Sequence, residues 1–286
     1  MIRRWTRPIV PRSRPDEGRA PWVRLARVAL LLLVGLSATA AGHQRPAQAG
    51  ETRTLRVAAA ADLRVVFADI AAAFEQQNPD VKVEVTYGSS GNFYSQLSSR
   101  APFDLFLSAD LDYPRRLVEQ GLAVPNSEFS YAVGALVLWV PKASPIAVEK
   151  GIEALLDPSA RKIAIANPRH APYGRAAEAA MKKLGVYDNV KDKLVFGENI
   201  IQTAQFVESG AADIGLISHS LASAPPLRDE GRSGEVPADS YPPIEQGGVI
   251  LSWAQDRQAA EALRSFIVGD SGKEILHRYG FRSAGE

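Results

Sequence analysis

The stretch TLRVAAAADLRVVFADIAAAF, Thr54 to Phe74, changes its hydrophobic period once, at the small residues before Asp62. Thr54–Ala58 reads as a short β-type run. Leu63, Val66, Phe67, Ile70 and Phe74 then fall at i, i+3, i+4, i+7 and i+11, one face of a helix. The same switch recurs along the chain. Val81–Thr86 alternates with period two, a half-buried strand, and a helix follows at about 92–99. Further strands are predicted at Phe103–Leu107, along the β-rich run Tyr131–Val140, and at Ile163–Ile165, Ile214–Ile217 and Val249–Ser252. Helices are predicted near 112–120, over Tyr173–Leu184 with Gly185 closing it, over Ile200–Glu208 and over Asp256–Val268. Strand followed by helix, repeated, predicts an α/β fold with mostly parallel sheets. The pattern pauses at Leu122–Ser130 and at Arg228–Gln246, and its length exceeds one compact set of layers, so two lobes are expected.

In open α/β sheets a ligand settles at the carboxyl ends of the strands, where helix N-termini present free N–H groups. Three such junctions are rich in donors. Ala58-Ala-Ala-Ala-Asp62 ends a strand in small residues, with Asp62 where a helix N-cap belongs. Tyr87-Gly-Ser-Ser-Gly-Asn-Phe93 supplies backbone N–H and two hydroxyls before a helix, and Phe106-Leu-Ser-Ala-Asp110 ends a third strand in Ser and Ala. All three offer donors without cations, which suits an oxyanion or another polar small ligand.

Composition narrows the classes further. The 286 residues are 46% hydrophobic and 23% charged, which excludes disordered and collagen-like chains. The formal charge of +1 divides unevenly. Residues 1–50 hold nine Arg against Asp16 and Glu17, a balance of +7, while the remainder holds 24 basic and 30 acidic residues, a balance of −6. An acidic body has no general attraction for nucleic acid. Within the basic segment the apolar run Val28–Leu36 is far shorter than the ~20 residues of a membrane-spanning helix, and small residues follow it at Ser37–Ala41 and Ala47–Ala49. Residues 1–50 are therefore expected to be a signal peptide and leader. The chain has no Cys, so disulfides, thiolate metal sites and a lipid-modified N-terminal Cys are excluded. A soluble, unanchored protein of a Gram-negative periplasm is the expectation.

Enzyme motifs are missing. There is no phosphate-binding G-x-x-x-x-G-K-[ST], Gly88-x-x-Gly91 lacks the third glycine of a dinucleotide fingerprint, and Asn92 stands where a nucleophile elbow needs Gly. His43, His170, His219 and His277 are isolated, with no H-x-x-x-H pair.

From Leu55 to Phe281 the sequence resembles the periplasmic molybdate-binding proteins of ABC transporters. The matching segments, in order, are AAAADL, YGSSGNF, APFDLFLSAD with LVEQG, LVLWVPKAS, IANPRHAPYGRAAEAAMKKLG, GEN, ADIGLIS and LHRYGF. The resemblance implies a two-lobed periplasmic binding protein fold, each lobe a mostly parallel sheet flanked by helices, with a cleft that closes over a tetrahedral oxyanion. It places residues 51–134 plus 243–286 in the first lobe and 135–242 in the second. It also implies a non-enzymatic, monomeric carrier of molybdate, and of tungstate, that delivers its cargo to a membrane permease. No cofactor is implied, and no metal is held by direct protein coordination, because molybdenum arrives as its oxyanion. Carried over by position, the ligand contacts are Asp62, Ser90 and Ala109 on the first lobe, and Ile200 and Ser218 on the second. Two of these depart from the family pattern, which has Ser at the place of Asp62 and Tyr at that of Ser218. A carboxylate beside a dianion is repelled by about 4 kcal/mol at about 4 Å for an effective dielectric near 20. Asp62 must therefore turn away to cap its own helix, or accept a proton from the ligand. The second option also suits a protonated oxyanion such as hydrogen phosphate, which is the alternative cargo. A two-lobed oxyanion sensor is the alternative class.

Overall fold

The computed structural model describes residues 52–284, so the expected leader lies outside the described residues. Ten strands run in chain order: β1 (Arg53–Ala60), β2 (Val81–Gly88), β3 (Leu105–Ser108), β4 (Phe129–Gly134), β5 (Leu136–Pro141), β6 (Ile163–Ala166), β7 (Leu194–Gly197), β8 (Ile214–Ser218), β9 (Gly231–Glu235) and β10 (Ile244–Ile250). They form two five-stranded sheets, ordered β2-β1-β3-β10-β4 and β7-β6-β8-β5-β9. In the first sheet β1 pairs in parallel with β2 and β3, and β10 runs antiparallel to both β3 and β4. The second repeats the scheme: β6 pairs in parallel with β7 and β8, and β5 runs antiparallel to β8 and β9. Both sheets are therefore mixed, with four strands running one way and the strand next to one edge reversed.

The predicted single run Tyr131–Val140 is two strands in two sheets. Gly134 ends β4, and after the single residue Ala135, Leu136 starts β5. Propensity continues across this step while the hydrogen-bonding partner changes, so composition alone cannot show the break. The chain returns to the first sheet between Glu235 and Ile244.

Alternation buries both faces of the first sheet. Leu105 and Leu107 of β3 pack with Leu55 and Val57 against Val66, Phe67, Ile70 and Phe74 of the helix Val66–Gln77. Phe106, between them, packs on the opposite face with Phe93, Leu97 and Leu117. Phe67 and Phe74 are at most 1% exposed, and burial of each such side chain is worth roughly 1.5–3 kcal/mol. In the second sheet the fully buried Trp139 donates from Nε1 to the Leu227 carbonyl, 3.1 Å away.

One irregularity matters for the site. Between the pairs Gln246–Ala132 and Gly247–Ser130 the β10–β4 register skips Tyr131, a β-bulge that re-aims the neighbouring side chains. Tyr131 and Gln246 are both buried, and the Tyr131 hydroxyl lies 2.8 Å from Gln246 Oε1.

Candidate functional site

The parallel strands of both sheets end around one small cavity. Ala60 and Ala61 with Asp62 come from the end of β1, Gly88, Ser89 and Ser90 from the end of β2, and Ala109 from the residue after β3. Ala171, Pro172 and Tyr173 follow β6, and Asn199 and Ile200 follow β7. Three α-helices begin at these junctions: Ser90–Ser98, Pro172–Lys183 and Ile200–Glu208. Helix N-termini carry partial positive charge and unpaired N–H groups. Their convergence is a field for an anion, built without any Lys or Arg among the lining residues.

The donors can be followed individually. The Asn199 side chain accepts from the Ile201 and Gln202 N–H groups at 3.0 and 3.1 Å, which leaves the Ile200 N–H without an intrahelical partner. Ser90 Oγ accepts from the Ala109 N–H at 2.9 Å, so its own hydroxyl hydrogen is free to serve the cavity. Contacts between residues following strands of the two sheets hold the cavity's edge. The Gly91 N–H donates to the His170 carbonyl at 2.8 Å, and Ser89 Oγ lies 2.9 Å from His170 Nδ1. A Cβ on residue 91 would lie 2.7 Å from that carbonyl oxygen, so only glycine permits this approach. Arg175 pairs with Asp110 across the same edge, and Asn92 donates to Glu198.

Asp62 is the one ionisable carboxyl in the lining, and it is only 1% exposed. It does not cap a helix. The turn Ala61–Leu63 has Ala60 at its N-cap position and no side-chain cap; Asp62 lies inside the turn, and its Oδ2 accepts from two donors, the Tyr173 hydroxyl at 3.1 Å and Gln246 Nε2. Oδ1 receives no hydrogen bond from any other residue. Burial pushes this carboxyl up to about 6, against the opposing pull of the Gln246 and Tyr173 donors. Burial also holds the Tyr131 and Tyr173 phenols well above their usual value, so both remain neutral donors.

Of the five residues expected from the sequence, Asp62, Ser90, Ala109 and Ile200 line the cavity. Ser218 stands apart. It ends β8 fully buried, and its Oγ accepts from the Leu221 N–H at 3.4 Å as the cap of the turn His219–Ala222. It reaches the cavity only through Ser220, whose Oγ lies 3.1 Å from Ser218 Oγ and donates to the Asp62 carbonyl at 2.9 Å. Sequence reasoning passed over Tyr173, Asn199 and Gln246. Tyr173 and Asn199 lie in the quoted segments IANPRHAPYGRAAEAAMKKLG and GEN, next to the helix-starting Pro172 and Ile200, and that position was the available clue.

Residues 55–282 match the family model for bacterial extracellular solute-binding proteins. The chain is 39% identical to the molybdate-binding protein ModA of Rhodobacter capsulatus over 260 residues, covering 91% of this chain and 96% of that one. It is also 39% identical to ModA of Azotobacter vinelandii, covering 90% of this chain and 97% of the relative. The solved structure of the periplasmic molybdate-binding protein of Azotobacter vinelandii superposes with a TM-score of 0.76 at 32% identity, covering 80% of this chain and 99% of that one.

Proposed function

This chain belongs to the bacterial extracellular solute-binding proteins, and from that premise we propose that it captures molybdate, and also tungstate, in the periplasm and delivers it to the permease of an ABC transporter. It carries its cargo unchanged and catalyses no reaction. The observation that carries this reading is the convergence of three helix N-termini on a cavity with no cation in its lining. A tetrahedral dianion balances several N–H and O–H dipoles at once, whereas a site built on Lys or Arg would hold smaller anions indiscriminately.

In this reading residues 51–134 plus 243–286 form one lobe and residues 135–242 the other, with the ligand between them. Ser90 donates its hydroxyl and Ile200 its backbone N–H, while Ala109, whose N–H is held by Ser90 Oγ, and Tyr173, whose hydroxyl is held by Asp62, line the cavity beside the ligand. Ser218 braces Asp62 from behind through Ser220 instead of touching the ligand. Sulfate is excluded by size, since a smaller tetrahedron cannot meet the donors of both lobes at hydrogen-bond distance.

Calorimetric titration with molybdate, tungstate, sulfate and phosphate in turn tests the proposal. Tight one-to-one binding of the first two alone is expected. Binding of phosphate alone, or of none of the four, overturns it.

A further inference from the structure

Asp62 is an anomaly in a site for a dianion: a carboxyl group, 1% exposed, lining the cavity among the helix N-termini. Its two oxygens are not equivalent. Oδ2 receives both available donors, the Tyr173 hydroxyl and Gln246 Nε2, and the Gln246 amide is itself fixed by Tyr131 through Oε1. Oδ1 is buried and receives no hydrogen bond from any other residue. A buried carboxylate oxygen left in that state is costly, and a dianion placed in the same cavity would make the ionised form more costly still. A proton on Oδ1 removes both costs. It cancels the charge and turns the orphan acceptor into an O–H donor, the type of group that every other part of the lining supplies.

We propose that Asp62 enters the ligand complex as the neutral carboxylic acid and donates its Oδ1–H to the bound oxyanion, so that capture of the dianion is coupled to uptake of about one proton from solvent above neutrality. The inference rests on the oxyanion reading given above. The proton comes from a buffer acid or hydronium in the solvent, whose bond to it breaks as the Oδ1–H bond forms, and it is then shared with a ligand oxygen through a hydrogen bond. The ordinary state of this carboxyl lies close to the working range already, since burial holds it near 6. A dianion at the same site moves it further in the same direction.

The other titratable groups around Asp62 do not supply this proton. Tyr173, from the helix Pro172–Lys183, and Tyr131, from β4, are held neutral by burial. Tyr241, after the turn Ala238–Ser240, is a third phenol, which donates to nothing on Asp62 and receives the Leu136 N–H at 3.1 Å. Asp110, beyond β3, is paired with Arg175. Arg64 follows on the same turn, and Tyr87 lies on β2 beside it. The helix Ile200–Glu208 brings only Asn199 and Ile200 to the cavity, and β10 brings the amide Gln246. His219, at the start of the turn His219–Ala222, has a buried Nδ1 without a partner and is the group to control for.

The test is calorimetry of the purified protein with sodium molybdate near pH 8, in Tris and in HEPES, whose different ionisation enthalpies reveal protons exchanged on binding. Uptake of about one proton is expected, with Kd rising about tenfold per pH unit between pH 7 and 9. Asp62→Asn keeps the shape and offers an N–H in place of the O–H; it should bind with no proton uptake and a flat pH profile. His219→Gln should keep the wild-type proton count. Tight wild-type binding without proton uptake, or loss of uptake in His219→Gln with retention in Asp62→Asn, overturns the coupling and leaves the oxyanion reading intact. Absence of molybdate binding near pH 6 as well as near pH 8 overturns both. The wild-type proton count decides the matter even if the Asn variant does not fold.

Discussion

Tyr173 donates its phenolic hydrogen to Oδ2 of Asp62 over 3.1 Å, across 111 positions of sequence and between residues that follow strands of different sheets. The bond joins the turn after β1 to the first turn of the helix after β6, so it forms only when the two halves of the cavity meet. It also lowers the energy of the ionised carboxyl. Tyr173→Phe removes the donor and keeps the ring. The titration midpoint of Asp62, followed by carboxyl-carbon NMR, should then rise above about 6. A midpoint that stays or falls would show that the phenol is not the donor.

The same carboxyl makes a distinct prediction about stability. Its value in the folded protein, about 6, lies above the ordinary 3.8, so the native state holds the proton more tightly than the unfolded chain. The contribution is present in full below about pH 4 and is lost as pH rises through 6, worth about 3 kcal/mol in total. Replacing Asp62 by Asn removes the dependence. Urea denaturation of the ligand-free proteins should show the variant gaining on wild type by that amount between pH 4 and pH 8. A difference that does not change with pH refutes the assignment.

Ser90 and Ala109 give a third test. Ser90 Oγ is the acceptor of the Ala109 N–H, and both residues are no more than 2% exposed. In Ser90→Ala the cavity loses a hydroxyl donor. Molybdate affinity should fall by about 1–3 kcal/mol, roughly 5- to 150-fold, as expected for leaving a buried partner unpaired. Unchanged affinity would remove Ser90 from the site.

The pair Arg175–Asp110 spans the cavity's edge with side chains 41% and 16% exposed. Screening by water limits such a pair to about 1 kcal/mol at most. Arg175→Ala should therefore weaken molybdate binding less than about fivefold, through faster release, and the difference should shrink in high salt. Stopped-flow release rates at two salt concentrations measure both effects. A loss comparable to that of Ser90→Ala would mean that Arg175 touches the ligand.

These residues also show how far the sequence alone can be read. Alternation and helical spacing revealed β1, β2 and the helix after each, because both depend on neighbours in the chain. The donor-rich turns at Ser90 and Ala109 were legible for the same reason. Four features were not. β7 (LVFG) and β9 (GRSGE) are short and weakly patterned, and they take their structure from the strands beside them. The helix Asp270–Arg278 showed no marker beyond a few apolar residues. The role of Asp62 was undecidable, because the groups that donate to its carboxyl lie 111 and 184 positions away.

Gly134 brings the crossing between the sheets and the Asp62 network into one experiment. It is the last residue of β4, paired with Ile244, and a Cβ there would run into the Tyr173 hydroxyl and come within 3.0 Å of Gln246 Nε2. The nearest atoms are tips of side chains, so Gly134→Ala should leave both sheets folded while driving Tyr173 away from Asp62. Molybdate affinity should fall by about tenfold or more, since Asp62 loses one donor and the cavity loses the phenol. The cause can be isolated by a double substitution. Tyr173→Phe deletes the oxygen that the new methyl meets, so Gly134→Ala should cost little in that background. The two changes share one contact and must be non-additive. A double variant as weak as the sum of both single losses would place the effect of Gly134 in the backbone of the crossing, and not in the network it faces.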